Sequence, residues 1–243
     1  MKHLLADATW PTVPTAPLVL VPLGSTEQHG PHLPFSTDSA IATAVALRIA
    51  DRLRDRGPVV VAPTIPYGAS GEHQSFDGTI SIGHEALGAV VVELVRSLST
   101  WAARVVLVNG HGGNLATLAR AVPRLIAERH RVAWLPCTVP EGDAHAGLTE
   151  TSIMLLLSPH DVDMSLASPG NVTPVTELLT RMRAGGVRAV APTGVLGDPT
   201  GASEERGAEL LRLMVDSAVR RIDKGSPDDR GCLRDPGRDG SLR

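Results

Sequence analysis

One short stretch, Gly24 to Asp38 (GSTEQHGPHLPFSTD), carries four side chains that bind divalent metal ions well: Glu27, His29, His32 and Asp38. In an extended segment Glu27 and His29 project to the same side while Gln28 points away. A carboxylate and an imidazole held on one side form half of a metal site. Taken singly, each residue has a simpler explanation, and Asp38 in particular could only cap a following helix.

Two later segments add donors of the same kind. The sequence NGHGGN follows an apolar run and places His111 among glycines, where backbone amides can approach a ligand ahead of a helix N-terminus. A tight turn with an incidental histidine explains the same pattern. Glu150 lies in Thr-Glu-Thr-Ser, an ordinary helix start where an acid is favoured anyway. His73, in GEHQSF, fits a loop surface and a substrate contact equally well.

The donor set indicates which metals and which chemistry to expect. All the donors are oxygen or nitrogen and none is a thiolate, which suits zinc, manganese or ferrous iron. Three carboxylates and two imidazoles exceed the needs of one catalytic ion, whereas two ions bridged by a carboxylate would use them all. Such a pair polarises a carbonyl and lowers the pKa of bound water to about 7. The predicted ligands are Glu27, His29, Asp38, His111 and Glu150, with His145 as a proton shuttle.

The elements that position these residues alternate between strand and helix. Apolar runs of strand length lie at 18–21, 59–61, 104–108 and 132–135, with a further strand expected at 187–190. Helical patterns cover 39–56, 84–101, 115–130, 149–157 and 204–222. This alternation predicts an α/β fold, a mainly parallel sheet with helices on both faces. The loops after the first, third and fourth strands then meet at the carboxyl edge, where ligands bind.

Composition limits the class of protein. A chain of 243 residues with a net charge of −3 fits one globular domain, expected over 1–224, and argues against a nucleic-acid binder. No apolar run is long enough to span a bilayer, and no signal peptide is recognisable. Cys137 and Cys232 are too few for a disulfide framework, so cytoplasm is the default. Residues 225–243 are expected to be disordered, and the long loop 63–83 to be functional.

Three motifs in order resemble the creatininase family of dinuclear metal-dependent amide hydrolases: GSTEQHGPHLP followed by TD, then NGHGGN, then HAGLTETS. The resemblance implies a three-layer α/β/α creatininase-like fold and two divalent ions per subunit. It implies ligands at Glu27, His29, Asp38 and His111, with Asp38 bridging the ions. His145 matches the family's histidine near the scissile amide.

One position departs from the creatinine-hydrolysing members of the family. In those members a metal-binding glutamate follows two residues after the histidine of the NGH motif, and here that position is Gly113. The departure argues against creatinine as the substrate. It suggests that Glu150 supplies the missing carboxylate as a catalytic and metal-binding residue.

The segments VPLGSTEQHGPHLP, GVRAV and GVLGDPTGAS are similar to a peptidase branch of the family. That similarity implies hydrolysis of a small ribosomal precursor peptide already modified at its C-terminal Val-Tyr, before the modified valine, with the product serving redox-cofactor assembly. It also implies a homo-oligomer, often a hexamer. The alternatives are a hydrolase of creatinine or another small cyclic amide, and a non-catalytic metal- or peptide-binding protein.

Overall fold

The computed structural model describes residues 4–140 and 142–236. Strands and helices alternate along this part of the chain, as the sequence predicts, and none of its helices is long and apolar enough to cross a membrane. The strands are β1 (Leu18–Leu23), β2 (Val59–Val61), β3 (Arg104–Asn109) and β4 (Val132–Pro136). The helices are α1 (Thr37–Leu53), α2 (Gly83–Leu98), α3 (Leu115–Ala127), α4 (Leu148–Leu157), α5 (Val175–Gly185) and α6 (Glu204–Lys224).

The strands form one parallel sheet in the order β2-β1-β3-β4. Leu18 of β1 pairs with Val59 on one side and with Arg104 on the other. Because parallel neighbours need a long crossover, a helix connects β1 to β2, β2 to β3 and β3 to β4. All four carboxyl ends therefore lie at one edge, which confirms the predicted parallel sheet.

Alternate strand residues pack against two different helical layers. On β1, Leu20 packs in a cluster with residues of α1, α4 and α6, whereas Val19 and Val21 pack in a cluster with residues of α2 and α3. This alternation is the period-2 geometry of a strand whose two faces are both covered. Burying each of these side chains contributes about 1.5–3 kcal/mol. The three-layer α/β/α prediction is confirmed.

The C-terminal segment differs from the prediction. Residues 225–236 fold back along β4: Trp134 N donates to Gly231 O at 3.0 Å, and Leu233 N donates to Trp134 O at 2.9 Å. Leu233 is fully buried. The predicted disorder is wrong for this stretch because the open edge of β4, the buried Leu233 side chain and the ion pair of Asp235 with Arg220 of α6 hold a polar segment. Residues 237–243 lie outside the described part of the chain.

The strand expected at 187–190 is also absent, and a 3₁₀ turn (Val187–Ala189) stands there. The outer edge of β4 is already occupied, because Cys232 bridges Trp134. Val187 packs instead into a small cluster with Leu178 of α5. Pro123 lies inside α3 without interrupting it.

Candidate metal centre

Loops after all four strands bring polar side chains to the carboxyl edge of the sheet. β3 can end against the first turn of α1 because residue 110 is glycine: a Cβ there would lie 2.6 Å from the carbonyl oxygen of Asp38. The six predicted site residues all reach this edge, together with His73 from the loop after β2. They are Glu27, His29, Asp38, His111, His145 and Glu150.

Asp38 lies between two imidazoles. Its Oδ1 is 3.1 Å from His29 Nε2, and its Oδ2 is 3.3 Å from His111 Nδ1. The hydroxyl of Ser25 donates to Oδ2 at 2.7 Å. Burial raises the pKa of Asp38, but the charges of His29 and His111 outweigh it and hold this pKa well below its usual range. Asp38 is the second residue of α1, not its cap.

Glu27 is fully buried, and neither carboxylate oxygen makes a hydrogen bond. His111 Nε2 lies 3.2 Å from Oε2, and His73 Nε2 lies 3.3 Å from Oε1. Burial raises the pKa of Glu27, but the charge of His111 outweighs it and lowers this pKa to about 2. A buried carboxylate without hydrogen bonds is costly unless a cation accompanies it.

Glu150, in the first turn of α4, faces His29 from the other side. Its Oε2 accepts from the backbone N–H of Ala146 at 2.6 Å and lies 3.8 Å from His29 Nε2. Burial raises the pKa of Glu150 to about 7. The pKa of His29 is raised to about 10, because burial, which lowers it, is outweighed by the Asp38 charge.

Three groups have ligand atoms that all lie within 4.8 Å of one another. They are Glu27–His29–Asp38, Glu27–His73–His145 and His29–His145–Glu150. The groups share members, so the donors form one continuous cluster. His111 joins it through opposite ring nitrogens, with Nε2 towards Glu27 and Nδ1 towards Asp38.

Gln28 connects two histidines of the cluster. The N–H of Gly30 donates to Gln28 Oε1 at 2.9 Å, which fixes the orientation of the amide. Gln28 Nε2 then lies 2.8 Å from His73 Nδ1 and 3.2 Å from the carbonyl of Gly194. Since an amide nitrogen only donates, His73 Nδ1 is an acceptor. The sequence pattern did not show what Gln28 binds.

The same residue sets the tautomer of His145. His145 Nε2 lies 2.8 Å from the backbone carbonyl of Gln28, which only accepts, and 3.0 Å from Gln28 Nε2. The two protons of that amide have His73 Nδ1 and the Gly194 carbonyl as acceptors, so His145 Nε2 carries the proton and donates to the carbonyl. Its Nδ1 is left as the acceptor, 3.8 Å from Glu27 Oε1. Burial holds the pKa of His145 well below its ordinary value, so this imidazole is neutral.

His73, which the sequence left undecided, belongs to the cluster, whereas His32, which the sequence suggested as a metal-binding residue, does not. His73 is buried, and burial lowers its pKa to about 4. The available signal was topological, because the loop after β2 must end at the same edge as the others. His32 is also buried, but its Nε2 pairs with Thr151 Oγ1 at 2.9 Å, so it holds α4 instead.

A cavity of about 530 Å³ adjoins the cluster. The loop between β2 and α2 forms one wall, and the C-terminal end of α5 contributes Met182 and Arg183 to the other. Glu72 lines the cavity and also approaches the cluster, with its Oε1 3.7 Å from His111 Nε2. Burial raises its pKa. A substrate in this cavity would therefore lie beside the candidate centre.

Known proteins are similar to this chain in sequence and in fold. The profile of the creatininase family (creatinine amidohydrolase) matches residues 6–222. The mycofactocin precursor peptide peptidase of Mycobacterium tuberculosis (strain H37Rv) is 52% identical over 236 residues, 94% of each chain. That of Mycolicibacterium smegmatis is 51% identical over 220 residues, 89% of each chain. A solved mutant creatininase of Zn-Zn type is 27% identical, with a TM-score of 0.72 over 91% of this chain and 97% of that one.

Proposed function

The chain belongs to the creatininase family, and from that premise we propose that it is a metal-dependent peptidase acting on the modified mycofactocin precursor peptide. It hydrolyses the amide before the C-terminal Val-Tyr-derived unit, which is then used in biosynthesis of the redox cofactor. We infer this substrate from the high sequence identity to peptidases of that name over nearly the whole chain.

The observation that carries the metal chemistry is the carboxylate of Glu27. Both of its oxygens are buried without hydrogen bonds, although imidazole nitrogens lie 3.2 and 3.3 Å away. The donor set of carboxylates and imidazoles is the one that zinc, manganese and ferrous iron prefer. The residues present therefore fit two divalent ions. The proposed ligands are Glu27, His29, Asp38, His111 and Glu150.

Two divalent ions supply a Lewis acid for the amide carbonyl and a water whose pKa is lowered to about 7. The chain's own residues contribute by holding the carboxylates in fixed positions. Asp38 presents one oxygen to the His29 side and the other to the His111 side, which suits a bridging carboxylate. Ser25 and the Ala146 N–H fix the orientation of the Asp38 and Glu150 carboxylates, and such partners tune a metal site.

His145 is the proposed proton carrier. The Gln28 carbonyl holds its proton on Nε2, which leaves the Nδ1 lone pair facing the centre. Nδ1 takes up the proton released when water attacks the carbonyl and delivers it to the leaving amine nitrogen. The C–N bond breaks, which leaves a new carboxyl group on the N-terminal part of the peptide and a free amine on the Val-Tyr-derived unit.

Subunit association and compartment are part of the proposal. Exposed apolar side chains on α2 and α3, namely Val90, Leu115 and Ile126, suit subunit contact in a homo-oligomer such as a hexamer. Sedimentation as a monomer at micromolar concentration would contradict it. Cys137 and Cys232 are free thiols, as in a cytoplasmic protein.

The test uses metal-loaded protein with modified and unmodified precursor peptide, followed by mass spectrometry. We expect cleavage of the modified peptide alone, immediately before its C-terminal pair, with about two ions bound per chain. Glu177→Gln, an exposed substitution on α5, serves as the control for Glu27→Gln. Turnover of creatinine without peptide cleavage would support the small-amide alternative, and a Glu27→Gln protein with every property unchanged would support a non-catalytic binding protein.

A further inference from the structure

Glu72 lies where the cavity meets the candidate centre. It belongs to a 3₁₀ turn (Gly71–His73) in the loop between β2 and α2. Its Oε1 is 3.7 Å from His111 Nε2, the same nitrogen that faces Glu27 Oε2 at 3.2 Å. Two carboxylates therefore approach the same ring nitrogen, and Glu72 also lines the cavity.

This approach depends on the absence of a side chain at Gly113. A Cβ at that position would lie 2.4 Å from His111 Nε2, 2.4 Å from the carbonyl oxygen of Ala69 and 2.6 Å from Glu72 Oε1. Any substituent there would have to displace one of these groups. The glycine therefore leaves the space in which the His111 ring, the Ala69 carbonyl and the Glu72 carboxylate come together.

The turn that carries Glu72 is held on its far side as well. Gly186, just after α5, has φ +70°, and a Cβ there would lie 2.8 Å from the carbonyl oxygen of Glu72. The next residue, His73, is hydrogen-bonded to the fixed amide of Gln28. Glu72 thus projects from a backbone that is anchored on both sides, which is the condition for a preorganised ligand.

We propose that Glu72 is a further oxygen ligand of the centre, for the ion held at Glu27 and His111. This rests on the proposed two-ion site and adds a residue to it. Its 30% exposed side chain faces the cavity, so it completes the coordination on the side from which the substrate arrives. Glu150 has a different place, beside His29. The carboxylate that fills the space at Gly113 is therefore that of Glu72.

The test is a titration of the metal-free protein with Zn²⁺ or Mn²⁺ against a chromophoric chelator, with no peptide present. We expect Glu72→Gln to weaken one of the two binding steps by at least about tenfold, since even partners outside the ligand set cost 10–100-fold. Glu85→Gln, an exposed acid at the start of α2, is the matched control and should leave both steps unchanged.

Wild-type affinity at both steps in Glu72→Gln would overturn the proposal. Gly113→Ala is no substitute for this variant, because its Cβ would meet His111 Nε2 and the carbonyl oxygen of Ala69 as well as the Glu72 carboxylate. Failure of the wild-type protein to cut the peptide leaves this binding measurement unaffected, so the two proposals fail separately.

Discussion

The ligand cluster and the segment around α5 lie next to each other but are built in opposite ways. Glu27 and His29 are fully buried and follow directly from a central strand of the sheet. α5 has one buried residue, Leu178, and rests on a small apolar cluster separate from the two main ones. Between them lies the cavity that α5 lines with Met182 and Arg183.

This contrast predicts that the buried cluster serves the chemical step and that α5 serves substrate binding. Side chains that must stay within a fraction of an ångström are held by the sheet and by buried hydrogen bonds. The wall that faces a peptide rests on few buried contacts, and such segments open at low free-energy cost. Changes in the cluster should therefore lower kcat or metal affinity, and changes on α5 should mainly raise KM.

Glu27→Gln should have the largest effect. It removes the negative charge around which the buried cluster is arranged. We expect the rate of peptide cleavage to fall by more than about 100-fold, because losing a residue that only supports a metal ligand already costs about 10–100-fold. Cleavage rates of the metal-loaded proteins measure this effect. A Glu27→Gln protein that cleaves the peptide at the wild-type rate would contradict this account of Glu27.

Metal removal should affect the two regions unequally. Ions that bind only the folded state stabilise it by about 2.7 kcal/mol at 100 times their Kd, so chelation should lower Tm measurably. Hydrogen exchange should speed up in residues 24–38 and 109–114 and change little in 175–185. Equal changes in both regions would show that α5 is part of the rigid centre. Restoring Zn²⁺ or Mn²⁺ is the control.

Gln28→Leu should act inside the cluster without removing a ligand. It leaves His73 Nδ1 without a donor and frees the ring to take the other tautomer. We expect kcat to fall by about 10–100-fold, the usual cost of losing such a partner, with metal content unchanged. Asp77→Asn, exposed in the same loop as His73 and away from the cavity lining, is the control and should leave kcat near wild type. Loss of metal from Gln28→Leu would instead indicate a direct role in binding.

Arg183→Ala should have the smallest effect and the opposite kinetic signature. Arg183 lines the cavity, and a guanidinium can bind carbonyl or carboxylate oxygens of the peptide. We expect KM to rise by a few-fold, about 1 kcal/mol or less, with kcat retained. Arg181→Ala, on the same helix but bonded to the carbonyl of Ala189, is the comparison. A fall in kcat alone would contradict the assignment of substrate binding to α5 and of catalysis to the cluster.

Much of the candidate site could be predicted because it depends on spacing within single segments. Glu27 and His29 stand two apart after a strand, and His111 stands directly after another. In a parallel sheet such loops must converge, whatever the details of packing. His73 could not be assigned this way, because its loop is long and nothing in the sequence shows where such a loop turns back.

Regions outside the sheet were less predictable. The C-terminal segment, residues 225–236, has the composition of a disordered tail. It nevertheless pairs with Trp134, because β4 offers an open edge and the side chain of Leu233 is buried. Val187 and Val190 look like a strand, yet the C-terminal segment occupies the outer edge of β4, and Val187 packs in a cluster with Leu178 instead. Composition reports local preference, and edge pairing depends on the final position of distant elements.

The sequence by itself determined the family, the parallel three-layer fold and the kinds of donor at the centre, since these follow from hydrophobic period, motif order and side-chain chemistry. The tertiary structure decided which donors lie close together, how Gln28 orients two imidazoles, and that Glu72 lies beside Gly113. Gln28 is 45 positions from His73 and 117 from His145. Sub-ångström distances between separate loops come from packing, which no local pattern encodes.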